Sequence, residues 1–102
     1  MSESEIESEI QSKGLDAPRI KPIDLDDEIV AAQYYQFAGT TVTVCCLTLT
    51  NGFNVVGESA AASPQNFDEE VGRKVAYAHA RDKIWPLLGF RLRDQLAGGS
   101  PA

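Results

Sequence analysis

Asn51-Gly52 stands between two runs rich in β-branched residues, Thr40-Thr-Val-Thr-Val-Cys-Cys-Leu-Thr-Leu-Thr50 and Phe53-Asn-Val-Val-Gly-Glu-Ser-Ala60. Asn-Gly in this setting is the strongest short-range signal for a β-hairpin, because a two-residue type I′ turn needs φ > 0 at both central positions. A two-residue turn also predicts the register: Thr50 opposite Phe53, Thr48 opposite Val55, Cys46 opposite Gly57. One face of the hairpin then shows Val42, Val44, Cys46, Phe53, Val55 and Ala61. The other shows Cys45, Leu47, Leu49, Val56 and Ala60, with Glu58 facing inward among them. Both faces are substantially apolar, unlike a hairpin with one wet side, and two strands do not stand alone in water. The chain's own helices can cover one face. In 102 residues little is left for the other, so a second subunit is expected to cover it or to extend the sheet at its edge. Closed two-fold contacts are commonest, so the expected state is a dimer or a multiple of one.

The flanking segments read as helices. Residues 2–13 place acids early and Lys13 late, the order a helix dipole favours, and Gly14 is a good C-terminal cap. Only Ile6 and Ile10 form a stripe on this segment, too thin to hold an isolated helix, so it must dock or fray. Pro18 and Pro22 mark an extended connector. A second helix is expected from about Ile23–Asp26, where acids crowd its first turns. Leu25, Ile29 and Ala32 give it an apolar face, Tyr34, Tyr35 and Phe37 crowd its exit, and Gly39 ends it. After the hairpin, Ser63-Pro64 or an Asn66–Glu69 capping box opens a long helix to about residue 85. Phe67, Val71, Val75 and Ala78 form an apolar row along it, and Gly72, Ala76 and Ala80 a row of small residues that permits close approach. Pro86 breaks the ladder, and a short helix over about 87–96 carries Leu88, Leu92 and Leu96.

The expected fold is therefore α+β in a single domain. An acidic, mainly helical segment spans 1–39, a hairpin-plus-helices core spans 40–97, and 98–102 form a disordered Gly-Ser-Pro tail. A composition of 43% hydrophobic and 24% charged residues is that of an ordinary globular chain. No apolar run approaches the ~20 residues of a membrane helix, and no signal-peptide pattern opens the chain. A cytoplasmic protein is expected.

The net charge of −6 is unevenly placed. Residues 1–39 carry nine acids against three bases, while residues 71–102 carry six bases against two acids. The whole chain would be repelled by nucleic acid polymers, yet the basic C-terminal third can hold a small phosphate ligand. The same basic face can instead attract the acidic N-terminus of its own chain or of a sister subunit.

Few residues carry chemistry. Adjacent Cys45 and Cys46 point to opposite faces of a strand and cannot chelate one metal, so buried reduced thiols are expected. The lone His79 reads as a packed or surface side chain. No acid–histidine–nucleophile set, glycine-rich phosphate loop or zinc spacing is present, so neither an enzyme nor a metal or cofactor site is expected. Two constellations remain. Arg73, Tyr77 and Arg81 share one helix stripe at i, i+4, i+8, with Lys74 beside it. Two guanidiniums around an aromatic ring can clamp phosphates and stack a base, although Arg73 could equally pair with Glu69 or Glu70. Glu58, if inward, must be paired or hydrogen-bonded, and could meet ribose hydroxyls or complete an ion pair.

Five stretches together carry a resemblance. They are Thr41–Phe53, Val56-Gly-Glu-Ser-Ala60, Ser63-Pro-Gln-Asn-Phe-Asp68, Gly72-Arg-Lys74 and Lys83-Ile-Trp-Pro-Leu-Leu-Gly-Phe90. Over about residues 40–96 the chain resembles a family of small phage and prophage proteins of mostly unknown function. The resemblance implies a virus-encoded accessory protein working in the bacterial host cytoplasm. It extends to an association with the first Thoeris anti-defence proteins, which sequester cyclic ADP-ribose signals and, in some members, cyclic oligonucleotides. A sponge of this kind needs no catalytic set, only phosphate-holding bases and a stacking aromatic. On this reading Arg73, Lys74, Tyr77, Arg81 and Glu58 are the candidate ligand-binding residues, and the partners are a small cyclic nucleotide and further copies of the chain. The alternative is an acidic protein–protein inhibitor that masks a basic host surface.

Overall fold

The computed structural model describes residues 2–98. The order of elements is α1 (Glu3–Ser12), α2 (Pro22–Glu28), β1 (Ile29–Gln36), β2 (Thr43–Leu49), β3 (Asn54–Ser59), a 3-10 turn (Pro64–Asn66), α3 (Glu69–Asp82) and α4 (Ile84–Leu96). The fold is α+β. The three strands form one antiparallel meander in the order β1-β2-β3, and α3 lies across β2 and β3. The molecule is 18 Å thick in its shortest dimension, one helix layer on one sheet, so the second face of the sheet stays open. The expected disorder at 98–102 falls outside the described residues except for Gly98, which follows α4 at φ 74°.

The hairpin forms around Asn51-Gly52 in a different register from the one expected. Leu49 N–H donates to Phe53 O and Gly52 N–H to Leu49 O, both at 2.8 Å. Gly52 has φ 88° and Asn51 is not in the positive-φ region. This is a three-residue loop with glycine at its left-handed position, not a type I′ turn. The pairs become Thr48↔Asn54, Leu47↔Val55, Cys46↔Val56 and Cys45↔Gly57. A one-residue slip exchanges the faces of a whole strand. Val55 and Gly57 now face the helices with Cys45, Leu47 and Leu49, while Val56 and Glu58 face the open side with Val44 and Cys46.

The helix expected from Ile23 to Gly39 stops at Glu28, and residues 29–36 form β1 instead. Leu25, Ile29 and Ala32 fit a helical face, but Ile29–Gln36 also supplies Ile, Val and two tyrosines, which suit a pleated surface. The open edge of β2 decides between the two patterns. β1 pairs with it from Ile29↔Leu49 to Gln36↔Thr43, with a register shift at Val30. Each pairing satisfies backbone groups that a helix would leave unpaired on β2.

The core is Leu25, Cys45, Leu47, Leu49, Val55, Ala76, Ala80, Ile84 and Leu88. The small-residue row of α3 faces it, as expected, whereas Val71 and Val75 of the apolar row are exposed. The reason lies in Gly57. A Cβ there would stand 2.8 Å from Ala80 Cα, and closer still to Ala80 N and Ala76 O. Helix and strand backbones touch, which only small residues on both sides allow.

The long helix is broken at Lys83, not Pro86. Pro86 sits in the first turn of α4, where its missing N–H would have no helical partner. The cap of α3 is neither Ser63 nor Asn66 but Asp68, whose carboxylate accepts from Val71 N–H at 2.9 Å.

At the N-terminus, Ser2 Oγ caps α1 by accepting from Glu5 N–H. Its C-terminus closes with Leu15 N–H on Ile10 O and Gly14 N–H on Gln11 O, a Schellman motif with Gly14 at φ 65°. The helix buries no residue fully. It docks instead through two ion pairs, Glu7–Arg19 and Glu3–Arg81.

Candidate functional site

Because Gly72, Ala76 and Ala80 face the sheet, the two flanks of α3 are set. His79 and Lys83 lie on the β3 flank: His79 Nδ1 accepts from Glu58 N–H at 2.9 Å and Lys83 Nζ donates to Val56 O. Arg73, Tyr77 and Arg81 lie on the opposite flank, toward β1 and α2.

The predicted stripe therefore exists, but its members do different work. Arg81, with 15% of its side chain exposed, is committed. Its Nη1 donates to Glu3 Oε2 at 2.9 Å, its Nε to Asp26 Oδ1 at 2.8 Å and its Nη2 to Pro22 O at 3.1 Å. Glu3 first, then Asp26, hold its proton more firmly than usual. This guanidinium fastens α1 and α2 to α3 and is not an open phosphate clamp, which corrects the expectation of two free arginines. The pairing instead matches the reading in which the basic face attracts the chain's own acidic N-terminus. Arg91–Glu28 at 3.1 Å repeats the pattern.

Glu58 is also displaced from the site. The slipped register puts it on the open side of β3, exposed, so its expected inward orientation is wrong. Lys74 pairs with Glu70 at 3.2 Å on the solvent face.

Arg73 and Tyr77 remain, and the structure adds a residue to them. Tyr34 stands on the helix-facing side of β1, opposite Cys45. Burial, then the Cys45 thiol, pushes its phenol up, with the Tyr77 phenol adding and the Arg73 guanidinium opposing. Burial likewise pushes the Cys45 thiol up. Tyr77 is half-buried against the core. Arg73 meets Glu69 only at 4.0 Å, with nearly half its side chain exposed. Two phenols and one loosely held guanidinium thus lie near one another along the helix-facing side of β1, a shelf beside α3. Such a shelf can stack a planar ring and accept a phosphate in the fork of the arginine. Reading residues 29–36 as helix hid Tyr34. The signal that could have found it is the strand alternation of Ala32, Tyr34 and Gln36.

A cleft of about 350 Å³ also lies beneath α1, lined by Ile6, Ile10, Ile20, Pro22 and Trp85, with Glu3, Glu7 and Arg19 at its margin. Its arginine is closed by Glu7 in a bidentate pair, both bonds 2.7 Å. The Arg19 hydrogen bond holds the Glu7 carboxyl down at about 2. With these two charges matched to each other, the cleft is an apolar seam under the helix and offers no spare guanidinium for an anion.

Residues 20–96 match the Phage protein (N4 Gp49/phage Sf6 gene 66) family. The chain belongs to this family. The match takes in α2, β1 and all later elements, so the shelf of Tyr34, Arg73 and Tyr77 lies inside the family unit and α1 lies outside it. No curated protein and no solved structure matches this phage protein. Among its described residues, no helix is long and apolar enough to cross a membrane.

Proposed function

We propose that this phage protein is an accessory anti-defence protein that binds and sequesters a cyclic nucleotide signal in the host cytoplasm without catalysis. The signal is of the cyclic ADP-ribose type or a cyclic oligonucleotide. What supports this reading is the nearness of Arg73, Tyr77 and Tyr34 on one partly exposed shelf. Sequestration requires a cation for phosphate and an aromatic surface for the base, and the shelf offers both. A charge-assisted hydrogen bond contributes about 1.5–3 kcal/mol, roughly ten- to hundred-fold in affinity. The acidic-inhibitor reading is weakened by the pairing of Glu3, Glu7, Asp26 and Glu28 with Arg81, Arg19 and Arg91 of the same chain.

The test is calorimetric titration with cyclic ADP-ribose isomers and cyclic di- and trinucleotides at two salt concentrations. Arg73→Ala and Tyr34→Ala should each weaken binding about ten-fold or more with circular dichroism unchanged. Mass spectrometry should recover the added nucleotide intact. If the native chain binds none of these ligands, the proposal fails.

A further inference from the structure

The two edges of the sheet are treated differently. In β3 the backbone groups that point away from β2 belong to Asn54, Val56 and Glu58, since Leu49↔Phe53 sets the hydrogen-bonded parity. Two of these groups are already occupied by α3: Val56 O by Lys83 Nζ and Glu58 N–H by His79 Nδ1. In β1 the outward groups belong to Ala32, Tyr34 and Gln36, because Phe37 N–H on Val42 O puts Gln33 and Tyr35 in the ladder with β2. No hydrogen bond to these outward groups exists among the described residues apart from the strand pairing itself. The strand reads Ile-Val-Ala-Ala-Gln-Tyr-Tyr-Gln. It has no lysine, proline or acid, the devices that usually block an edge.

We infer that β1 is a dimerisation edge, pairing antiparallel with β1 of a second copy of this chain across a two-fold axis at Tyr34. A second copy fits for two reasons. An antiparallel edge is self-complementary, as a two-fold contact must be. The register shift at Val30 leaves 31–36 as the regular stretch, and its outward residues 32, 34 and 36 are centred on Tyr34, so Ala32 falls opposite Gln36 of the partner subunit. The result is a continuous six-stranded sheet with a guarded β3 at each outer edge.

The experiment leaves Tyr34 untouched, so that it is independent of nucleotide binding. Light scattering of the native chain at micromolar concentration should give about 22 kDa, twice the 11.1 kDa chain. The double variant Ala32→Lys with Gln36→Lys sets lysine against lysine twice and should run as a monomer with native circular dichroism. Val56→Lys, on the open sheet face, should stay dimeric. The double variant Ala32→Cys with Gln36→Cys should form a covalent dimer on oxidation where the native chain does not, since directly opposed strand residues lie within disulfide reach. A monomeric native chain would overturn the inference. So would a dimer split by Val56→Lys, or a cysteine variant that fails to cross-link, whether or not the lysine variant folds.

Discussion

Arg81 Nη1 donates to Glu3 Oε2 at 2.9 Å, joining residues 78 positions apart in the chain. Together with Asp26 on the same guanidinium, this contact ties the acidic N-terminus to the helix that covers the sheet. It makes Arg81 a structural residue. Arg81→Ala should cost stability, by about 1–2 kcal/mol once the exposure of both acids is allowed for. That is a fall in melting temperature of about 5–10 °C. Arg81→Lys should recover only part of it, because lysine cannot bridge two carboxylates with a planar fork. Thermal melts with hydrogen exchange along α1 measure both effects. An unchanged melt and unchanged protection would show that the contact does not form in solution.

The Glu7–Arg19 pair makes the docking of α1 sensitive to acid. The Glu7 carboxyl is depressed from 4.5 to about 2. A depressed carboxyl stabilises the fold above its unfolded value and loses that contribution as pH falls through the folded one. The contact should therefore hold at neutral pH, weaken below 4.5 and be lost by about pH 2. The Glu7 side-chain carbon shift, followed by NMR, should titrate near 2, and a midpoint near the ordinary glutamate value would contradict the pair.

Gly57→Ala should be among the most damaging single changes in the chain. The added methyl meets the backbone of Ala76 and Ala80, which cannot rotate away as a side chain could. Overpacking typically costs about 1–3 kcal/mol and occasionally more, and backbone contact argues for the upper end. Ala76→Leu, at a fully buried position, should act through the same seam. Urea titration gives the values. Native stability in Gly57→Ala would mean that α3 does not rest on β3.

The two cysteines should separate chemically although they adjoin. Cys45 is fully buried in the core, and burial pushes its thiol up, whereas Cys46 is partly exposed on the open sheet face. An alkylating reagent should label Cys46 first, and Cys45 only on unfolding. Peptide mass mapping after a short exposure reads the order. Equal labelling would show that the helices do not close over Cys45.

Much of this fold follows from short-range signals. Asn51-Gly52 marks a turn because glycine alone takes φ 88° without strain. The small row of α3 and the Gly14 closure of α1 are visible because helical spacing and caps act within a few residues. Tertiary structure decided what those signals leave open. Whether the hairpin loop holds two residues or three moves Val55 and Glu58 between faces, and Asn-Gly is compatible with both. Residues 29–36 fit a helix and a strand alike, and the unpaired edge of β2 selects the strand, bringing Tyr34 to Tyr77 and Arg73. The excess of acids before residue 39 and of bases after residue 71 predicts attraction between the two ends. Only the folded chain assigns Glu3 and Asp26 to Arg81, because an ion pair between distant residues depends on where every intervening element lies.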